Sequence, residues 1–421
     1  MFDFPFVQLY SNQTTTIMFR HIQRIMKRVV KKFKIEFNWL LSVLFPKKIK
    51  LAIFDKFYPD LSYSWRTAEI NYLLSYFKKS VLFSESTNYK GRTTKTEFIQ
   101  RKNKLLKIYS DLIADKQIKY LNKPVFTYNF KYDLVYFLFL EDAVRFYPYL
   151  NRTKTPFAFT LYPGGGFILY NEVIDEKIKL ICNAVNCQGV FVNGKFAYTY
   201  LTQRLNLPAK KVILVSGVPL YYNKNAITKK NTSNEFKIGF CARKYHMRGM
   251  DKGFDIFCQV ALQMTAIPNT RFICIGDFST NDMLEEEKDK ATIEFKGQLQ
   301  GYEFKNALSE LDVIISPVRS LLNGGDFDGF PTAAVVEASL LGVTMVCSDP
   351  MNDSLYKNGE EIIILNSIVD EYVRNLIHLY NDRELCISIG TKGQIRTMEI
   401  YDDKNTLIPK VEKINDWLYG E

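Results

Sequence analysis

A chain of 421 residues, 47% apolar and 14% aromatic, is too long for one core and too apolar for wholesale disorder, so it reads as two folded domains. Three His (His21, His246, His378) without ligand spacing, and seven Cys with no Cys-x-x-Cys pair, leave no basis for a zinc site, a Ser-His-Asp triad or a disulfide framework. Thiols placed in apolar runs point to a reducing compartment, the cytoplasm.

The net charge of +11 is concentrated in residues 1–50, where ten Lys or Arg face only Asp3 and Glu36, a net of +8. From Ile17 to Phe45 apolar residues recur at helical spacing (Ile22, Ile25, Met26, Val29, Val30, Phe33), while Arg20, Arg24, Lys27, Arg28, Lys31 and Lys32 fill the other face. Residues 1–46 are therefore expected to be a basic amphipathic extension whose helix lies on an anionic membrane surface, peripheral on the inner face. Charges interspersed through the segment exclude a signal peptide, and no apolar run is long enough to span a bilayer. A nucleic-acid partner is disfavoured, because aromatics are not interleaved with the charges as stacking platforms. The competing reading is a helix docked on its own protein with a solvated basic face.

Residues 47–220 read as a first α/β domain. Strands are expected at Lys50–Phe54, Lys79–Ser84, Leu134–Leu140, Thr155–Leu161, Gly189–Asn193 and Lys211–Val215, with helices at Trp65–Phe77, Asp142–Leu150, Glu172–Val185 and Lys195–Leu205. The stretch from Asn88 to Lys123 is polar and shows no clear period. Tyr162-Pro163-Gly164-Gly165-Gly166-Phe167 follows a strand, and three successive glycines there would let backbone approach a ligand closely. An ordinary glycine turn is the alternative. The Asn-, Lys- and Thr-rich stretch over 221–235 reads as a linker.

Residues 236–395 read as a second α/β domain. Its strands are Lys237–Ala242, Arg271–Ile275, Ile293–Gly297, Val313–Pro317 and Val343–Ser348, and Asp251-Lys252-Gly253-Phe254 opens a helix to Met264. Strand and helix alternate, which implies a parallel sheet covered on both faces. Residues 396–421 end in a helical period over Ile408–Leu418.

Within the second domain, Asp326-Phe-Asp328-Gly329-Phe330-Pro331-Thr332 leads into a small-residue helix, Thr332–Leu341, that carries Glu337 and ends at Gly342. Pro331 is expected in the first turn, where its missing N–H costs nothing. Free N–H groups at such a helix start suit a phosphate, and Glu337 would accept hydrogen bonds from sugar hydroxyls. Asp326 and Asp328 also leave open an Asp-x-Asp metal pair.

This stretch resembles the acidic signature of the GT-B glycosyltransferases of family four, the "group 1" retaining enzymes of bacterial polysaccharide synthesis, in which Glu-Gly-Phe-Pro precedes a helix with a second Glu. Anchored on Gly-Phe-Pro, Asp328 fills the first acidic position; anchored on Glu337, Gly329 does. The resemblance implies two Rossmann-like domains facing a cleft, with the last helix returning to the first domain. It implies a retaining transferase that moves a sugar from a nucleotide-sugar to a glycan or lipid-linked acceptor without a metal or other cofactor. A sugar-nucleotide epimerase, a phosphorylase or a non-catalytic membrane binder are the other readings. Arg243, Lys252 and Asp328 would be catalytic, with Gly164, Gly165, Gly166, Gly329, Phe330, Pro331, Thr332 and Glu337 binding the donor.

If the basic stripe meets a membrane, full-length protein should float with anionic but not neutral liposomes, salt-sensitively, at roughly 1 kcal/mol per basic residue near the headgroups. A chain starting at Lys47 should lose that binding; equal flotation of both would refute the reading.

Overall fold

The computed structural model describes residues 47–59, 64–88, 91–108, 117–121, 130–163, 166–219, 234–319 and 328–420, with Met26 and Val30. Met26 and Val30, both on the apolar stripe, are helical and exposed; the rest of the amphipathic segment, and the linker over 221–233, lie outside the described residues.

The first domain is a seven-stranded parallel sheet. Its strands are β1 (Lys47–Phe54), β2 (Ser80–Ser84), β3 (Ile118–Tyr120), β4 (Phe130–Phe137), β5 (Phe157–Leu161), β6 (Cys187–Val192) and β7 (Val212–Leu214), in the order β3-β2-β1-β4-β5-β6-β7. Leu134, Val135, Tyr136 and Phe137 are fully buried, as a continuous apolar run between two helical layers requires. That strand starts earlier than the run suggests, because Tyr132 is buried and flanked by less buried Lys131 and Asp133 in an alternating entry. The helices are α1 (Ser64–Tyr76), α2 (Lys95–Ile108), α3 (Leu140–Thr153), α4 (Glu172–Cys182) and α5 (Lys195–Thr199), the last continuing as a π turn through Arg204. Helix α2 and strand β3 occupy the stretch that shows no period in sequence. Helix α2 is started by a capping box: Thr94 N donates to Glu97 at 2.6 Å, and Glu97 N donates to Thr94 Oγ1 at 3.2 Å.

The second domain repeats the plan with β8 (Phe236–Ala242), β9 (Thr270–Gly276), β10 (Ile293–Gly297), β11 (Val313–Ser316), β12 (Thr344–Cys347) and β13 (Ile363–Ile364). They are all parallel, in the order β10-β9-β8-β11-β12-β13. In each sheet the strand order reverses beside the first strand, which opens a crevice at the carboxyl edge where such sheets take ligands. Helices α6 (Phe254–Gln263), α7 (Glu285–Lys288), α8 (Gly301–Ser309), α9 (Ala333–Ser339), α10 (Val369–Asn381) and α11 (Arg383–Ile400) surround it.

After α12 (Asp403–Thr406), helix α13 (Ile408–Tyr419) packs on the first domain, where Val411 and Ile414 join its core and the Trp417 ring lies tilted against Phe191 with centroids 5.5 Å apart. Lys410 enters with it, 1% exposed. Its Nζ donates to Glu69 Oε1 at 2.7 Å, to Thr160 Oγ1 at 3.2 Å and to Tyr162 OH at 3.2 Å, while Tyr136 and Tyr162 both donate to the same Glu69 carboxylate. Burial pulls the Lys410 ammonium below its ordinary pKa despite Glu69, and pushes both tyrosines well above theirs.

Removing one partner of such a pair leaves an uncompensated buried charge. Lys410→Met is therefore expected to cost about 3–5 kcal/mol in urea unfolding, and Glu69→Gln added to it should restore much of the loss. Equal stability of Lys410→Met and wild type would show that the pair is not what secures the helix.

Candidate functional site

The carboxyl edge of the second sheet gathers most of the residues singled out in sequence. Strand β8 ends at Ala242, so Arg243 stands at the edge beside it. The chain then loops to Gly253, whose φ of +76° and contact with β11 leave no room for a side chain: a Cβ would lie 2.2 Å from the Pro317 carbonyl oxygen. That close approach sets Lys252 at the mouth of the sheet. Lys252 is buried, pairs with Asp328, and lies 3.3 Å from Asp251 Oδ2. Burial acts to lower its pKa, but Asp328 and then Asp251 outweigh it, so the ammonium titrates above the ordinary lysine value and stays charged. The Tyr245 ring takes both cations on its surface, with Arg243 5.8 Å and Lys252 5.1 Å from its centroid.

Asp328, Gly329, Phe330, Pro331 and Thr332 wall an open recess of about 370 Å³. Thr332 is still extended (φ −65°, ψ 153°) and is the N-cap, so helix α9 begins at Ala333 and Pro331 stands before the cap rather than in the first turn. Two more walls were not apparent in sequence: Ser316 at the end of β11, and Ser348 with Asp349 after β12. Their only advance signal is position, at the carboxyl ends of parallel strands. Thr332 Oγ1 and Asp349 Oδ1 are buried there without a hydrogen-bond partner among the described residues. Glu337, half-buried on α9, faces the end of β8: burial first, and then its carboxylate, push the Cys241 thiol up to about 12. Among the described residues no group of three or more His, Cys, Asp or Glu could hold a metal, and Asp326 lies outside them.

The first domain reaches the recess through Pro163, whose Cγ would lie 3.2 Å from a Cβ on Gly329, and through a contact between Asp353 and the start of α5. Gly164 and Gly165 lie outside the described residues. Gly166 is not brought to the recess: its φ is +87° and it packs on Glu141, at the carboxyl edge of the first sheet. Behind Glu141 is a buried charged cluster in which Arg145 binds Glu85 at 3.0 Å and Asp142 at 2.9 Å, and Arg66 binds Asp55 at 3.2 Å.

The fold is similar to that of solved structures. HepE of Anabaena, solved with UDP and glucose, superposes with a TM-score of 0.60 at 15% identity, covering 87% of this chain and 97% of its own. A glycosyltransferase of Rickettsia africae gives 0.63 at 11% identity over 89% and 100%. The chain has the GT-B fold. Sucrose-phosphate synthase of Thermosynechococcus elongatus shares that GT-B architecture, with a TM-score of 0.56 at 12% identity over 84% of this chain and 95% of its own. No family model matches the sequence, and no curated protein sequence does.

The cluster behind Gly166 makes a pH prediction. Burial, against Arg145 and Lys56, pushes Asp142 up to about 7. At Asp142 the folded state therefore binds more protons than the unfolded chain between the ordinary aspartate value and about 7, and this group's contribution to stability falls as pH rises through that window. Asp142→Asn should flatten the slope relative to wild type in urea titrations from about pH 4 to 7; an unchanged slope would rule Asp142 out as its source.

Proposed function

We propose that this chain is a retaining, metal-independent glycosyltransferase that moves a sugar from a nucleotide-sugar to a glycan acceptor. The observation that carries the reading is the pair of cations, Arg243 and Lys252, at the carboxyl edge of the second sheet beside a recess walled by the acidic motif. In such a transfer the nucleoside diphosphate leaves, and negative charge grows on its oxygens. Two fixed cations held by the protein stabilise that charge more in the transition state than in the bound donor, which raises the rate without a metal. Lys252 is suited to the task because its neighbours keep it protonated and its burial spares it from water. Asp328, already on Lys252, would orient the donor sugar beside the diphosphate, and Glu337 would accept hydrogen bonds from the ribose hydroxyls. Gly329 to Thr332 would line the donor sugar.

HepE's complexes with UDP and with UDP-glucose support a uridine nucleotide-sugar as the first donor to try. The basic segment supports an acceptor at an anionic membrane, such as a lipid-linked glycan in polysaccharide synthesis, reached from the cytoplasmic side. Among the described residues no helix is long and apolar enough to cross a membrane.

The test is acceptor-dependent release of nucleoside diphosphate across a panel of nucleotide-sugars. Arg243→Ala and Lys252→Ala should each lower kcat by roughly 100-fold or more with the far-UV spectrum unchanged. Turnover like wild type in either variant, or diphosphate release indifferent to acceptor, would overturn the reading.

A further inference from the structure

The recess in the second domain has one wall that is tied to the first. Asp353 follows β12, lines the recess with Asp349 and Met351, and accepts a hydrogen bond on Oδ1 from Phe196 N at 3.1 Å, across the cleft. The segment it meets, α5 and its π turn, has no cap of its own, because its N-cap residue is Gly194. An N-cap carboxylate normally comes from the same chain position; here it is supplied from the other domain.

Gly194 marks the same contact independently. Its backbone is extended (φ −154°, ψ 155°), a conformation any residue adopts, so no strain demands glycine. What a side chain would meet is Asp353: the three atoms nearest an added Cβ all belong to that carboxylate, the first at 2.1 Å. Around this point the seam is apolar, with Met351 packed on the first domain's core and Gly329 facing Pro163. Asp353 thus adds a directional contact to a part of the seam that, among the described residues around it, is packed by shape.

We infer that Asp353 is an interdomain latch, a positioning residue that completes the recess by capping residues 195–204 of the first domain from the opposite side of the cleft. The latch is a property of the fold; only its kinetic consequence rests on the transferase reading. Since losing a hydrogen bond to a charged group shifts an equilibrium by roughly tenfold or more, its removal should favour separated domains and raise the KM for the donor more than it lowers kcat.

The experiment uses the full chain with spin labels on cysteines placed at Val185 and Tyr302, which are 83% and 78% exposed in the first and second domains, and reads the interdomain distance by pulsed EPR. A chain without the added cysteines controls for labelling of the native thiols. Asp353→Ala and Gly194→Ala should each shift the distribution to longer, broader distances, and Asp353→Asn, which keeps an acceptor oxygen, should shift it less. The double variant should match Asp353→Ala alone, because the added methyl collides with a carboxylate no longer present. Melting curves of each variant guard against misfolding, and if Asp353→Ala fails to fold, Asp353→Asn and Gly194→Ala decide the matter. Unchanged distances in the folded variants would overturn the latch, as would a full Gly194→Ala effect persisting in the Asp353→Ala background. If no donor is turned over by wild type, the transferase reading fails while the distances still judge the latch.

Discussion

A lysine and a glutamate buried together, Lys410 and Glu69, hold two distant parts of this molecule in place. They stand 341 residues apart in sequence, so their contact ties the end of the chain to its first domain. Neither charge is stable there alone: Glu69 accepts from Lys410, Tyr136 and Tyr162, and Lys410 donates to Glu69, Thr160 and Tyr162. One of those tyrosines, Tyr162, is the residue before Pro163, and the Trp65 ring packs tilted against it with centroids 4.4 Å apart. The pair that secures the last helix therefore also fixes where the loop after β5 leaves the sheet, and Pro163 in that loop is what Gly329 faces across the cleft.

The two sheet edges that meet at the cleft are electrostatically unlike. At the first, carboxylates and guanidinium groups pair beneath the surface, and burial pushes the Asp142 carboxyl up to about 7. At the second, Arg243 and Lys252 gather on one tyrosine ring. Lys252 is flanked by Asp251 and Asp328, which raises its proton affinity and prevents desolvation from discharging it. A buried cation without those neighbours would shed its proton to avoid the cost of burial, and would have nothing to offer a diphosphate.

Much of the architecture could be read from local pattern. Continuous apolar runs such as Leu134 to Phe137 marked strands covered on both faces, and alternation of strand and helix through the second half marked a parallel sheet. Lys252-Gly253 and Gly329-Phe330-Pro331 were visible because glycine and proline act within a few residues of where they stand. Helix α2 was missed although its Thr94-x-x-Glu97 box was in plain view, since only Phe98, Lys102 and Leu105 of its described side chains are buried and the apolar period is faint. Pro331 was misplaced by two residues for a related reason: which residue caps a helix is decided by backbone angles that composition does not state. Asp353, Asp349 and Glu69 had no local signature. Each acts on a partner that only the fold brings near.

That distinction also explains how a GT-B fold persists at 11–15% identity to its structural neighbours. The sheets ask only for apolar side chains of suitable size at alternating or continuous positions, a demand that many sequences meet. Specific identity is required where backbones or charges approach closely: Gly253 against the Pro317 carbonyl, Gly194 against the Asp353 carboxylate, Lys252 between two acids, Lys410 within a shell of hydroxyls. These positions are few and scattered along the chain, so they add little to any overall measure of sequence likeness. They nonetheless lie along the cleft and the seam between the domains, where a displacement of one ångström would separate the cations from the recess they serve.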